Sequence, residues 1–108
     1  MRLTSVETTA LLLACGADPN KKDQDGQTPL HHATIFGNFT QVKFLANHGA
    51  ELEVKDDHQR TPLHYAAVYK RVQIAGHLLS EGVQINTRDK LQQTPLLLAC
   101  RVSSYELT

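Results

Sequence analysis

Residues 23–55 read DQDGQTPLHHATIFGNFTQVKFLANHGAELEVK, and residues 56–88 read DDHQRTPLHYAAVYKRVQIAGHLLSEGVQINTR. The tripeptide Thr-Pro-Leu stands at the same place in both segments and returns a third time, 33 residues further on at each step. The same shift superposes glycines, aspartates and alanines. The superposed sets are Thr28, Thr61 and Thr94; Gly16, Gly49 and Gly82; Asp23, Asp56 and Asp89; and Ala33, Ala66 and Ala99. This register predicts repeated units that stack along the chain.

Each unit carries the signals of two short helices. Threonine before proline suits a helix start. The threonine hydroxyl accepts a hydrogen bond from a free backbone N–H at the start of the helix. Proline has no backbone N–H, but the first helical position does not need one. Gly49 and Gly82 come where a left-handed residue ends the second helix. We predict first helices near residues 28–36, 61–69 and 94–102, each followed by a turn at Gly37, Lys70 or Ser103. Second helices are predicted near residues 39–48 and 72–81.

The polar segment between helix pairs, such as residues 51–60, is expected to turn back on itself as a β-hairpin. Gly26 suits the positive backbone angle of such a turn. Gln59 and Gln92 replace it in the next two units. We therefore expect those two turns to be less regular.

In these features the sequence resembles the ankyrin repeat, and the resemblance covers essentially the whole chain. It implies a mainly α fold, in which antiparallel helix pairs with β-hairpin fingers form a solenoid. The register divides one domain into a C-terminal half-unit (1–22), two full units (23–55 and 56–88) and an incomplete unit (89–108). Because about three repeats are needed for stability, we expect a marginally stable piece of a longer array or a truncated product of one.

Composition excludes several function classes. The chain has 108 residues, and its 11 Lys and Arg balance its 11 Asp and Glu. A neutral chain lacks the basic face with which proteins bind nucleic acid or a membrane surface. No run of about 18 apolar residues could span a bilayer. Only two cysteines occur and no secretory signal is visible, so we expect an intracellular protein, cytoplasmic or nuclear.

The residues that could carry chemistry are better explained by structure. His31 and His64 close the motif TPLH, and the resemblance implies that each imidazole binds the motif's threonine and nearby backbone. We expect exposed rings at His48, His58 and His77. No Cys or Asp cluster completes a metal site, and neither Cys15 nor Cys100 lies in a nucleophile signature. Cys100 is expected to be buried as a small apolar residue, and Asp56 to be a solvated turn residue. We predict no enzyme activity, no cofactor and no bound metal.

The resemblance implies a protein partner that contacts the hairpin tips and the exposed side of the first helices. By register, Phe36 and Tyr69 stand side by side, and an aromatic pair ringed by polar residues is typical of a binding hot spot. Alternatively, these side chains pack inward. The tip positions are Gln24, Asp25, Gln27, Asp57, His58, Arg60, Lys90, Leu91 and Gln93. The helix positions are Ile35, Phe36, Val68, Tyr69, Arg101 and Val102.

Two asparagines resemble those that an oxygen-sensing asparaginyl hydroxylase modifies in ankyrin repeats. Asn20 and Asn86 each follow a leucine by eight residues, namely Leu12 and Leu78. Alternatively, both serve only as hydrogen-bonding residues of the hairpin. For the whole chain, the leading hypothesis is a non-catalytic interaction module or scaffold. The alternative is a structural slice of a longer array, such as an adaptor, a channel's cytoplasmic region or a ubiquitin-ligase receptor.

Overall fold

The computed structural model describes residues 5–106, and the side chains of residues 6–102. Residues 1–4 and 107–108, which were assigned to the two terminal half-units, lie outside the described part. The predicted mainly α architecture is confirmed. The described residues form α1 (Ser5–Ala14), α2 (Pro29–Phe36), α3 (Phe39–Asn47), α4 (Pro62–Val68), α5 (Val72–Ser80) and α6 (Pro95–Glu106).

The helices are bounded by the residues that the repeat supplies. Thr28 and Thr61 precede α2 and α4 in extended conformation, and each is followed by proline. After α2, Gly37 adopts a left-handed conformation with φ +78°. Lys70 takes the same role after α4 with φ +60°. The turn predicted at Ser103 is wrong, because α6 continues without interruption to Glu106.

The helices stack in two layers. In one layer α4 lies between α2 and α6, and in the other α3 lies between α1 and α5. Within each full unit the two helices also pack on each other, α2 on α3 and α4 on α5. A continuous apolar core therefore runs between the layers rather than inside one helix pair. Its largest members are Leu30, Val42, Leu45, Leu63, Ile74 and Leu78.

Tight turns connect the units, and the predicted β-hairpins are not confirmed. Asp23, Asp56 and Asp89 each donate from the backbone N–H to the carbonyl four residues later, at 2.9 to 3.0 Å. Successive turns are joined by one backbone hydrogen bond each, from Asp57 N to Asp25 O and from Lys90 N to His58 O. Since one bond does not make a ladder, no strand forms among residues 5–106.

The three turns share one geometry. Gly26, Gln59 and Gln92 occupy the same position with φ between +60° and +75°, and all three turns make the same closing bond. The expectation of less regular turns at the glutamines is therefore wrong. A side chain at positive φ costs on the order of 1–2 kcal/mol. Here the aspartate that begins each turn holds it closed.

Candidate protein-binding surface

The two TPLH histidines connect neighbouring units. His31 Nδ1 accepts from the backbone N–H of Thr28 at 3.1 Å, so the ring proton lies on Nε2. That nitrogen donates to the Arg60 carbonyl of the next turn at 2.9 Å. His64 repeats the arrangement with Thr61 and the Gln93 carbonyl. Burial lowers the pKa of both imidazoles. Both rings are therefore neutral structural links, in agreement with the sequence interpretation.

A second set of links runs between aspartates and the turn before them. Asp56 is buried and accepts from the Tyr65 hydroxyl and from the Gln27 amide, the latter at 3.2 Å. We call each junction between neighbouring units a seam. In the next seam, Arg60 pairs with buried Asp89, with Nε 3.2 Å from Oδ2. Burial alone would raise the pKa of each aspartate. The hydrogen bonds from Tyr65 to Asp56, and from the Gln93 backbone to Asp89, contribute to the net lowering of both pKa values.

These links change the interpretation of three predicted tip residues. Gln27 and Arg60 are half-buried and point at the following aspartate rather than at solvent. Gln93 is buried, and its amide lies between Asp89 and Arg101. The repeat places these residues between units because each one reaches forward to the turn of its neighbour. Asp56, expected to be solvated, is instead one of the buried anchors.

The other six tip residues face solvent. They form an edge of mixed charge along the three turns, with acidic groups in the first two turns and a basic group in the last. The backbone bonds between turns fix the spacing of this edge, so its side chains project from a rigid base. The exposed tip residues are Gln24, Asp25, Asp57, His58, Lys90 and Leu91.

The predicted helix positions divide in the same way. Phe36 is 78% exposed and Tyr69 is 45% exposed, so neither ring folds into the core. Tyr69 stacks on Tyr65 of its own helix, with ring centroids 6.4 Å apart. The two predicted partners therefore do not form one stacked pair. Ile35, Val68 and Val102 are half-buried beside them, and Arg101 is exposed.

A groove of about 300 Å³ lies beside Phe36, at the side of α2 that faces away from α4. His32 contributes to its wall, and the ring Nε2 lies 2.7 Å from Asp23 Oδ2. The register explains why this side of α2 is open. The equivalent residues of α4, including Pro62, Tyr65 and Ala66, are buried because α2 lies beside them.

The repeat register predicts that Leu96 and Leu98 of the last, incomplete unit lack their usual cover; Leu96 is exposed, whereas Leu98 is buried. Leu96, Leu97, Leu11 and Leu12 are all exposed, on α6 and α1. The positions equivalent to Leu96, Leu97 and Leu12 are buried inside the full units, whereas those equivalent to Leu11 are half-buried. Two further expectations are wrong. Cys100 is exposed, and His77 is half-buried with its ring against Phe39.

The two asparagines differ in their surroundings. Asn20 donates to the Gly49 carbonyl at 3.0 Å and accepts from the Glu51 N–H at 2.7 Å. Its side chain thus spans two units. Asn86, its equivalent, is exposed.

No three His, Cys, Asp or Glu side chains meet as a metal site in the described part of the chain. Among residues 5–106, no helix has both the length and the apolar character needed to cross a membrane.

Comparison with known families agrees with this architecture. A family model described as ankyrin repeats, in three copies, matches residues 2–89. The match spans both full units, including the packing of α2 on α3 and of α4 on α5. The chain therefore belongs to the ankyrin repeat family, whose members generally bind other proteins and are typically non-catalytic.

Proposed function

We propose that this chain is a non-catalytic interaction module that binds a partner protein across its turn tips and the exposed ends of α2 and α4. The observation that carries this proposal is the exposure of Phe36 and Tyr69 at equivalent positions of neighbouring units. Aromatic side chains that stand free of the core contribute most to protein interfaces when a partner covers them. The polar tip residues beside the two rings supply the polar rim that surrounds the apolar centre of an interface.

The rigidity of the surface supports binding without reordering. The His31 and His64 links, together with the two aspartate seams, tie each unit to the next. A partner would therefore meet a preformed surface and would lose little binding energy to ordering it. Its own surface should be apolar where it meets the two rings and should carry charges of both signs where it meets the tips.

The test compares two double variants for partner capture from cell lysate, with each bound protein identified by mass spectrometry. Phe36→Ser/Tyr69→Ser removes the two rings and should reduce capture of the specific partner at least tenfold. Val72→Ser/Leu79→Ser is the matched control, because these residues are 79% and 41% exposed but lie on α5 in the other layer. Equal capture by both variants, with unchanged circular dichroism, would rule out the surface formed by Phe36 and Tyr69 as the binding site.

A second candidate function is that of a structural slice within a longer ankyrin array. The exposed leucines on α1 and α6 favour it, because the equivalent positions of the full units are covered by neighbouring helices. Under this function the ring variant would capture the same proteins as the unsubstituted chain. The same capture experiment therefore separates the two candidates.

Hydroxylation of Asn20 and Asn86 remains a prediction. Asn86 is the more accessible of the two, whereas the Asn20 amide is engaged by the next unit. An enzyme must reach the side chain that it modifies, so we expect modification at Asn86 before Asn20. A peptide map of the protein from well-oxygenated cells checks this through a shift of one oxygen. We also propose an intracellular setting, in which the exposed thiols of Cys15 and Cys100 stay reduced.

A further inference from the structure

We propose that an extended acidic segment of a partner protein binds along Lys22, Lys55 and Arg88, with one carboxylate at each of these residues. We call the three residues the cation row. They occupy one repeat position, directly before the three turns, and all three are exposed. The proposal rests on the interaction function above and adds the chemistry of the partner to it.

Hydrogen bonds between units order the cation row. Lys22 Nζ donates to the Lys55 carbonyl at 3.1 Å, and Lys55 Nζ donates to the Arg88 carbonyl at 3.5 Å. Each ammonium group thus lies beside the backbone of the next cation. An ammonium group has three donors and a guanidinium group has five, so a single bond to a carbonyl leaves donors for a carboxylate. The bonds restrict both lysine side chains, so the row presents its charges in a preformed arrangement.

In the described part of the chain, no carboxylate forms an ion pair with the cation row. The aspartate that follows each cation is turned towards its own turn. Asp23, Asp56 and Asp89 each accept two backbone N–H groups of the turn that they begin. The other oxygen of each contacts a side chain outside the row. A carboxylate of a partner therefore would not have to displace an internal counter-ion.

The stacking of the units sets the distance between the charges. The cation row runs in the stacking direction, because each lysine bonds to the next unit. Neighbouring packed helices lie about 8–10 Å apart, and equivalent positions of neighbouring units share this spacing. A peptide in polyproline II conformation rises about 3.1 Å per residue and has three residues per turn. Every third side chain therefore points the same way at intervals of about 9 Å, so the best partner has an acidic residue at every third position.

Exposed acidic residues beside the row favour a peptide over a nucleic acid. Glu51 and Glu53 precede Lys55, Asp57 follows it, and all three carboxylates are on exposed residues. A nucleic acid carries a charge at every phosphate, and some of these charges would lie against the carboxylates. A peptide can place neutral or basic residues between its acidic ones. The surroundings of the row therefore match spaced charges better than a continuous polyanion.

The test measures the binding of fluorescently labelled peptides by anisotropy, at low and at high salt. One peptide carries three glutamates separated by two neutral residues, one of which is proline to favour polyproline II. A second peptide of the same composition carries its glutamates side by side. The spaced peptide should bind at least about threefold more tightly, because only it can pair with all three cations. Its affinity should fall as the salt concentration rises, since exposed charges are screened.

Substitutions in the chain locate the binding. Lys22→Gln, Lys55→Gln and Arg88→Gln should each weaken it about two- to fivefold, as expected for one exposed ion pair. Lys43→Gln is the matched control, because it removes the same charge from an exposed residue on α3 and should leave binding unchanged. Circular dichroism verifies that each variant keeps its helices.

An exchange of charges gives the sharpest readout. Lys55→Glu should weaken binding of the spaced peptide more than Lys55→Gln does, because it adds repulsion to the lost attraction. A peptide with lysine in place of its central glutamate should bind this variant more tightly than the original peptide does. A general effect of net charge predicts no such dependence on the central position, since a lysine at any of the three positions would then serve equally.

Four results would overturn the proposal: no binding of the spaced peptide, equal binding of the two peptides, an equal loss in the Lys43 variant, or no recovery on charge exchange. A single-stranded oligonucleotide of the same net charge is the competing probe. Tighter binding of the oligonucleotide, lost in the row variants, would assign the row to nucleic acid instead. None of these variants changes Phe36 or Tyr69, so partner capture through the two rings can fail while the row binds its peptide, and the reverse.

Discussion

The unit at residues 56–88 and the C-terminal segment at residues 89–106 begin with the same turn and the same Thr-Pro-Leu motif, yet their leucines have opposite fates. Leu63 is 5% exposed, whereas Leu96 lies largely in solvent. Both leucines lie in the first turn of a helix that starts at proline, but only α4 has a helix of its own unit, α5, packed against it. The comparison shows that in this fold the neighbouring helix, and not the motif, decides which residues form the core.

The turns behave differently from the helices. Asp56 and Asp89 are buried in both regions, and both close the same five-residue turn. Each turn is completed by residues close in sequence and by the unit before it, and the Asp89 turn forms without contacts from a later unit among the described residues. Each test of this contrast therefore compares the effect of a substitution inside a full unit with the effect at the equivalent repeat position or at a neighbouring residue.

The largest expected effect is at the leucine position. Leu63→Ala should lower the free energy of unfolding by about 2–5 kcal/mol, because it removes buried methyl groups and leaves a cavity. Leu96→Ala should change it by less than about 0.5 kcal/mol, since the side chain already contacts water. Urea unfolding at low protein concentration measures both. Equal effects at the two sites would contradict the contrast between the regions.

The aspartates should come next. Asp56→Ala leaves the Tyr65 hydroxyl and the turn N–H groups without their acceptor, and should cost about 1–3 kcal/mol. Asp89→Ala should cost a similar amount, because its turn is closed in the same way. Asp57→Ala, at the exposed neighbouring position, serves as the control and should be near neutral. A much smaller effect at Asp89 would contradict the equivalence of the two turns.

The histidine position should make stability depend on pH. The folded pKa values of His31 and His64 lie below 6.5, so the unfolded chain takes up protons first as the pH falls. The stability from these neutral rings is present above pH 6.5 and is lost as the pH falls towards the folded pKa values. Urea midpoints should therefore decrease from about pH 7.5 to about pH 5.5. His64→Gln should reduce that slope, whereas substitution of exposed His58 by glutamine should leave it unchanged.

The smallest expected effect is at the ion pair. Arg60→Gln introduces the residue that already stands at both equivalent positions, Gln27 and Gln93. Since Arg60 is partly exposed, the loss should be below about 1 kcal/mol. The substitution should also remove part of the dependence of stability on salt. Unfolding curves at low and high ionic strength, compared between the two proteins, would show a larger salt effect in the unsubstituted chain if the pair contributes.

Much of the fold could be predicted because its signals are local. Thr28 and Thr61 start helices, Gly37 ends one, and the distance of 33 residues between motifs gives the stacking. The β-hairpins were not confirmed and the turn at Ser103 was wrong, because both depend on contacts beyond the segment. A β-ladder needs more than the one backbone hydrogen bond that joins neighbouring turns. The end of α6 depends on packing and not on a local sequence signal.

Less of the candidate site could be predicted. The exposure of Phe36 and Tyr69 agreed with the repeat register, but Gln27, Arg60 and Gln93 were assigned to the surface although they form the seams between units. A polar side chain is suited both to an exposed tip and to a seam between units, so the residue type does not distinguish the two locations. Only the position of the next aspartate, one unit away, distinguishes a seam residue from a tip residue.

The sequence by itself determined the repeating unit, the positions of the caps and the neutral, non-basic surface, because these follow from neighbouring residues and composition. The tertiary structure alone decided which equivalent leucines are buried and which polar residues join the units. The physical reason is that burial and buried hydrogen bonds need a partner from another unit. A repeated motif supplies one side of each contact between units, and the neighbouring unit supplies the other side.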